Sequence, residues 1–310
     1  MEHNKTKAVN IFFSVLIVFY LGMSFVVGII VQLGKYTMPV WPQYVLSQVI
    51  AIIPAVIYAA AYKRYFPKEI SYKPLKPIDA LVSLLTGYAL IPMVLFIGNL
   101  TMLFAANHIQ ESADGLLQYP FMIQLLIVAV IPPFVEEFIF RGLFYHSYRK
   151  QGILAAAVLS GFIFGLFHFN INQFCYAFIM GIIFAYMVEA TGSMWSSVLA
   201  HFAVNTYSVG MMALVRYLSS HSAEFKSQYE AAQSTAAGQS LGTVIPQLVT
   251  LAGTAVCFMF FAAVMIRGMA RRNGRLDNIT QKRGNIKNIV SLPVIITAAV
   301  CIIYMILIEI

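Results

Sequence analysis

Residues 131–144 read IPPFVEEFIFRGLF and sit inside a longer apolar run, Leu125 to Phe144. Three ionisable groups, Glu136, Glu137 and Arg141, interrupt that run. The composition around them decides the setting. Of 310 residues, 60% are hydrophobic and only 10% charged, where an ordinary soluble domain carries about 25% charged residues. Apolar stretches of about 20 residues, the length a helix needs to cross a hydrocarbon core of about 30 Å, recur along the chain. The expected fold is therefore all-α: a polytopic transmembrane helical bundle of about nine spans. By periodicity and length they run near 10–34, 42–62, 79–106, 120–146, 152–169, 172–190, 194–218, 244–267 and 289–308. Pro54, Pro92, Pro132, Pro133 and Pro293 fall inside spans or near their ends. Membrane helices tolerate proline where neighbours satisfy the carbonyl it frees.

The apolar run from about Asn10 to Leu33 outlasts a signal-peptide core of roughly 7–15 residues, and no small-x-small cleavage site follows. It is expected to be a first span. Cys175, Cys257 and Cys301 each lie in an apolar run. They predict packing residues, with neither a disulfide framework nor a thiolate zinc site.

The formal charge is +8, and topology accounts for it better than a nucleic-acid partner does. With the N-terminus cytoplasmic, one side of the membrane holds Lys5, Lys7, Lys63, Arg64, Lys68, Lys73, Lys76, Arg149 and Lys150. It also holds Arg267, Arg271, Arg272, Arg275, Lys282, Arg283 and Lys287. The other side holds Lys35, Arg216 and Lys226. Sixteen against three is a positive-inside pattern, and nine spans then put the C-terminus outside. The expected location is an integral membrane protein of the cell (plasma) membrane, with anionic lipid as a natural contact of the basic loops. The basic stretch 267–288 is expected to be a solvated connector, and the polar stretch near 219–243 a flexible outer loop.

A charge at the middle of a membrane helix costs roughly 2.5–3.5 kcal/mol on insertion scales, so the three charges at 136–141 need partners. Glu137 and Arg141 are four apart and can pair on one helix face. Glu136 points about 100° away and needs another polar group, a metal or water. A carboxyl so placed suits general acid–base work. Two more stretches offer partners. FIFGLFHFN carries His168 four residues after Phe164, and SSVLAHFAVNTY carries His201 and Asn205 four apart on one face. Taken singly, a membrane histidine is most often a packing or hydrogen-bonding residue. The grouping on three spans is what makes a site.

The order EExxxR, FxxxH, HxxxN resembles the CAAX-protease and bacteriocin-processing family of intramembrane endopeptidases. Glu136-Glu137-Phe-Ile-Phe-Arg141 matches the first motif, Phe164-Gly-Leu-Phe-His168 the second and His201-Phe-Ala-Val-Asn205 the third. The match covers about residues 118–210. This divides the chain into N-terminal accessory spans (1–117), a family-like core (118–210) and a C-terminal part with the polar loop and last spans (211–310).

The resemblance implies a hydrolase, CAAX prenyl protease-like and of glutamic or metallo type, that cuts a membrane-associated peptide or protein. Carried over, Glu136 activates water, His168 and His201 complete the polar centre, and Asn205 supports it or binds the oxyanion. Glu137 and Arg141 hold the helix. Glu136, His168 and His201 make a tentative zinc set, although no HExxH is present. A proton- or ion-coupled transporter and a non-catalytic membrane partner are the competing readings. The first usually shows internal repeats, which this chain lacks. The second would often have lost a motif residue, and every one is present. One mismatch remains. Counted from the expected span ends, Glu136 and His168 lie far deeper than His201. Two extra helical turns at 144–151, protruding below the membrane, would reconcile them and put the site shallow, towards the cytoplasm.

Overall fold

The computed structural model describes residues 2–35, 37–62, 72–105, 115–236, 241–280 and 284–309. Its principal elements are all helices. They are α1 (Glu2–Gly34), α2 (Val40–Ala61), α3 (Pro77–Ala89), α4 (Ile91–Thr101), α5 (Phe121–Gln151) and α6 (Ile153–Leu166). Then follow α7 (Ile171–Thr191), α8 (Trp195–His221), α9 (Ala223–Ala236), α10 (Leu241–Arg272), α11 (Leu276–Thr280) and α12 (Leu292–Glu309).

Among the described residues, eight stretches are long and apolar enough to cross a membrane, with α3 and α4 counted as one span broken at Leu90. The expected fifth span is α6, and it is shorter than the rest. Its 14 residues rise about 21 Å, short of a hydrocarbon core of about 30 Å, and α7 brings the chain back to the end where Glu189 meets Arg149. The outward faces of α1, α10 and α12 carry Val18, Phe25, Val249, Phe260 and Leu307, each about two-thirds exposed or more. Soluble proteins rarely present apolar surface on that scale; here it faces lipid. The protein is an integral membrane protein.

Two of the expected loops are partly helical. The polar stretch near 219–243 contains the end of α8, all of α9 and the start of α10, while 237–240 lie outside the described residues. The basic stretch 267–288 contains the last turns of α10 and all of α11. Of the orientation count, Lys63, Arg64, Lys68, Lys282 and Arg283 lie outside the described residues, as does the expected end of the third span at 106.

Proline chemistry shapes α5. An α-helical carbonyl at Val128 would take the N–H of residue 132, and a π-helical one that of residue 133. Both are proline and have no N–H. The helix winds as π over Leu125–Val130, returns to α over Ile131–Glu137, then winds as π again over Phe138–Tyr145. It ends at Gly152, whose φ of +124° turns the chain into α6. The extra turns at 144–151 exist, and they are packed within the protein. Tyr145, His146 and Tyr148 are buried. Tyr148 donates to Asn10 at 2.6 Å, and Tyr145 to Glu189 at 2.9 Å.

The same end of the bundle is tied by charges. Glu189, at the end of α7, receives Arg149 at 2.6 Å and Arg275 at 3.3 Å. Asp79, in the first turn of α3, receives Arg272 at 2.7 Å and Asn273 at 2.8 Å. The other helices pack through close backbone contact. A Cβ at Gly87 of α3 would collide with the Ala200 carbonyl oxygen of α8. A Cβ at Gly181 of α7 would come within 2.6 Å of the Gly161 Cα of α6 and 3.2 Å of Arg141 Nη2. These glycines let α8, α6 and α7 close around the middle of α5.

Candidate active site

Glu136 and Glu137 stand at the C-terminal end of the short α segment of α5, between its two π segments. Glu136 therefore has about 22 Å of helix on either side of it, midway along α5. His201 nonetheless reaches Glu136, because the first turn of α8 packs beside the middle of α5. Trp195, the first residue of α8, packs on Phe134 with ring centroids 5.4 Å apart and donates from Nε1 to the Tyr72 carbonyl at 3.3 Å.

Glu137 and Arg141 pair as their spacing predicts. Arg141 Nη1 donates to Glu137 Oε1 at 2.9 Å, with both side chains fully buried. Nε and Nη2 of Arg141 have no hydrogen-bond partner among the described residues. The guanidinium instead lies over Phe164 at 4.4 Å and near Phe184 at 5.1 Å, where ring faces attract a cation.

His201 faces both glutamates. Its Nδ1 lies 3.1 Å from Glu137 Oε1, and its Nε2 lies 3.7 Å from Glu136 Oε2. A carboxylate beside a guanidinium only accepts, so the Nδ1 proton is directed at Glu137 and Nε2 presents its lone pair towards Glu136. Phe164 and Phe184 bracket the His201 ring at centroid distances of 5.8 and 5.4 Å.

His168 ends the turn after α6. Its Nδ1 lies 2.9 Å from the Phe164 carbonyl, which can only accept, so Nε2 again carries the lone pair. It lies within electrostatic reach of Glu136 and His201. Asn205, one turn beyond His201, donates from Nδ2 to the Val128 carbonyl at 2.9 Å. That is the carbonyl which Pro132 and Pro133 cannot serve. Asn205 thus replaces a missing backbone donor, and one N–H of its amide remains.

The structure also brings in a residue that the sequence reading did not single out. Gln48 of α2 donates from Nε2 to Glu136 Oε1 at 3.4 Å. Its signal was weak, one of two amides in an otherwise apolar span. Phe164, quoted only as the anchor of a motif, touches Arg141, His168 and His201 at once.

The tentative zinc set can be tested on these positions. Among the described residues, no three of His, Cys, Asp and Glu converge closely enough to hold a metal ion. Glu136 and His201 form a pair, and the nearest third carboxylate, Glu137, already holds Arg141 and His201. As placed, these residues do not make a three-donor site.

The model of the family described as Type II CAAX prenyl endopeptidase Rce1-like matches residues 117–207, the stretch that carries all three motifs. A Bacillus subtilis (strain 168) protein named "Putative membrane peptidase YdiL" is 29% identical over 107 residues. That match covers 34% of this chain and 43% of the relative, so it spans less than half of either. No solved structure matches. On the family match and the three motifs, the segment that carries the site is similar to the CAAX prenyl endopeptidase family over residues 117–207.

Proposed function

We propose that the protein is an intramembrane endopeptidase in which Glu136 activates a water molecule against a peptide bond of a membrane-associated peptide or protein. The observation that carries this reading is the gap between Glu136 Oε2 and His201 Nε2. At 3.7 Å it is too long for a direct hydrogen bond and suits two acceptors sharing one water. Such a water donates one hydrogen to each acceptor and leaves an oxygen lone pair for the carbonyl carbon.

The reaction then balances as follows. The water oxygen bonds to the carbonyl carbon while its proton passes to Glu136. The carbonyl oxygen takes the negative charge and meets the remaining N–H of Asn205. Glu136 returns the proton to the departing nitrogen as the C–N bond breaks. Arg141 holds Glu137, Glu137 holds the His201 ring, and His168 Nε2 lines the same polar centre. None of these steps uses a metal.

The family description favours a prenylated C-terminal peptide as substrate, and the resemblance read in the motifs adds a bacteriocin precursor as a second candidate. The excess of Lys and Arg on one side supports a cytoplasmic N-terminus in the plasma membrane. The test is to incubate purified wild type and Glu136→Gln with a panel of membrane peptides and read the products by mass spectrometry. Cleavage by wild type and none by the variant is expected; equal cleavage by both would sink the assignment.

A further inference from the structure

Asn10 of α1 holds partners from two distant parts of the chain. Its Nδ2 donates to the Ile289 carbonyl at 2.9 Å and to Ser291 Oγ at 2.8 Å, and its Oδ1 accepts from Tyr148 at 2.6 Å. One side chain thus joins the start of α1, the end of α5 and the residues that lead into α12. Deeper in, the Ser14 and Thr297 hydroxyls share a hydrogen bond of 2.7 Å. Asn10 with Ser291 and Ser14 with Thr297 show that α1 and α12 run the same way. The turn Ile286–Asn288 is held by the Asn285 side chain, which accepts from the Lys287 N–H at 3.0 Å.

This frame borders a cavity of about 650 Å³, within the range of roughly 300–1,000 Å³ usual for ligand sites. Its lining changes character along the helices. Lys7 of α1, Lys287 and Gln151 line it, then Ser291, and then Ile11 and Leu292. Both lysines are exposed, and no carboxylate lines the cavity among the described residues. Ile11 and Leu292 are 46% and 67% exposed and belong to the lipid-facing surface. On α1, Ile11 lies four residues beyond Lys7, on the same face and about 6 Å further along the axis. Leu292 opens α12, five residues beyond Lys287. Because the two helices run the same way, both walls pass from cation to apolar side chain in the same direction.

Two cations with no acid between them favour an anion. A small soluble anion would satisfy the lysines and leave Ile11 and Leu292 uncovered. A phospholipid meets both ends of the cavity, since its phosphate lies at headgroup level, where basic pockets between spans hold it, and its chains run beside the apolar residues below. We propose that this cavity binds an anionic phospholipid, with Lys7 and Lys287 on the headgroup and Ile11 and Leu292 against the acyl chains. The bound lipid fastens α1 and α12 to the end of α5. The site does not depend on the endopeptidase reading, and neither lysine lies in the family-matched segment.

The test uses the full-length protein in a neutral detergent. Native mass spectrometry follows the binding of dioleoyl phosphatidylglycerol, dioleoyl phosphatidylcholine and glycerol 1-phosphate, and the thermal midpoint is read on the same samples. The anionic lipid should bind at least tenfold more tightly than the neutral one and raise the midpoint. Glycerol 1-phosphate should not bind at concentrations where the lipid saturates. Lys7→Gln combined with Lys287→Gln should weaken the anionic lipid at least tenfold; both side chains are exposed, so the fold should hold. Lys73→Gln combined with Arg271→Gln removes the same charge elsewhere and should change binding less than twofold. A phosphatidylglycerol with a photoreactive group at the top of one acyl chain should label the wild-type peptides that contain Ile11 and Leu292. Equal losses in the two double variants would mean that the lipid answers to net charge alone, and equally tight binding of glycerol 1-phosphate that the cavity takes a free anion. Either result would overturn the proposal, as would labelling that misses both peptides.

Discussion

His201 donates from Nδ1 to Glu137 across 3.1 Å, from α8 to α5, while Glu137 takes the guanidinium of Arg141 on the same oxygen at 2.9 Å. Glu137 therefore orients the imidazole, and its neighbour Glu136 is left facing the other ring nitrogen. Two adjacent carboxylates thus meet opposite nitrogens of one ring, and only Glu137 also holds Arg141.

That division predicts different failures. Glu136→Gln should abolish hydrolysis and keep near-normal folded yield, because Glu136 touches Gln48 and His201 but holds no buried cation as a salt-bridge partner. Glu137→Gln should lose activity and folded protein together. It strips the carboxylate from Arg141, which is fully buried, and breaking a buried pair costs about 3–5 kcal/mol. Size-exclusion yield and product formation, measured on the same preparations, separate the two. Equal yields of the two variants would refute the division.

Asn205→Ala should destabilise the protein whether or not it acts on substrate. The Val128 carbonyl would lose the donor that stands in for two prolines, and an orphaned buried carbonyl costs about 1–3 kcal/mol. A thermal midpoint at the wild-type value would show that Asn205 is not needed to hold the first π segment of α5.

Exhaustive chelation should leave the activity in place. Glu136 and His201 make a pair rather than a three-donor set among the described residues, and the water in the proposed mechanism is held by those two groups. Product formation by protein shown by elemental analysis to be metal-free checks this. Loss of activity on chelation, restored by stoichiometric zinc, would require the site to close further around an ion.

The orientation is open to direct measurement. Reporter fusions placed after Glu309 should register outside the cytoplasm, and fusions in the 273–275 turn inside it. Arg272 and Arg275 bind Asp79 and Glu189 at the same end of the bundle as Arg149, so one topology must hold for all of them. A cytoplasmic signal at the C-terminus would reverse the assignment of the last span.

Much of this was legible in the sequence because charge in an apolar run is so conspicuous. The pairing of Glu137 with Arg141 followed from a spacing of four, and the need of Glu136 for an outside partner followed from its 100° offset. His201 met that need. Gln48 did not show itself, since an amide in a span has many uses and its contact with Glu136 joins positions 88 residues apart. The meeting of His201 with Glu136 was hidden for a geometric reason: hydropathy does not show that the first turn of α8 packs against Phe134, beside the middle of α5. The short α6 and the two π segments were equally hidden, because hydropathy measures how apolar a stretch is and says nothing of how the backbone winds.

The π winding of α5 has a consequence for insertions and deletions. Each π turn holds a residue more than an α turn, so it shifts the angular phase of everything that follows by about 100°. Glu137 faces His201, and Arg149 faces Glu189, only because the segment Phe138–Tyr145 supplies that shift between them. A chain with one residue deleted from 142–144 would keep every letter of EExxxR, FxxxH and HxxxN. It would still swing both Tyr145 and Arg149 off Glu189 and leave that carboxylate buried with two partners fewer. For this helix, length between landmarks constrains the chain as tightly as the identity of the residues that carry charge.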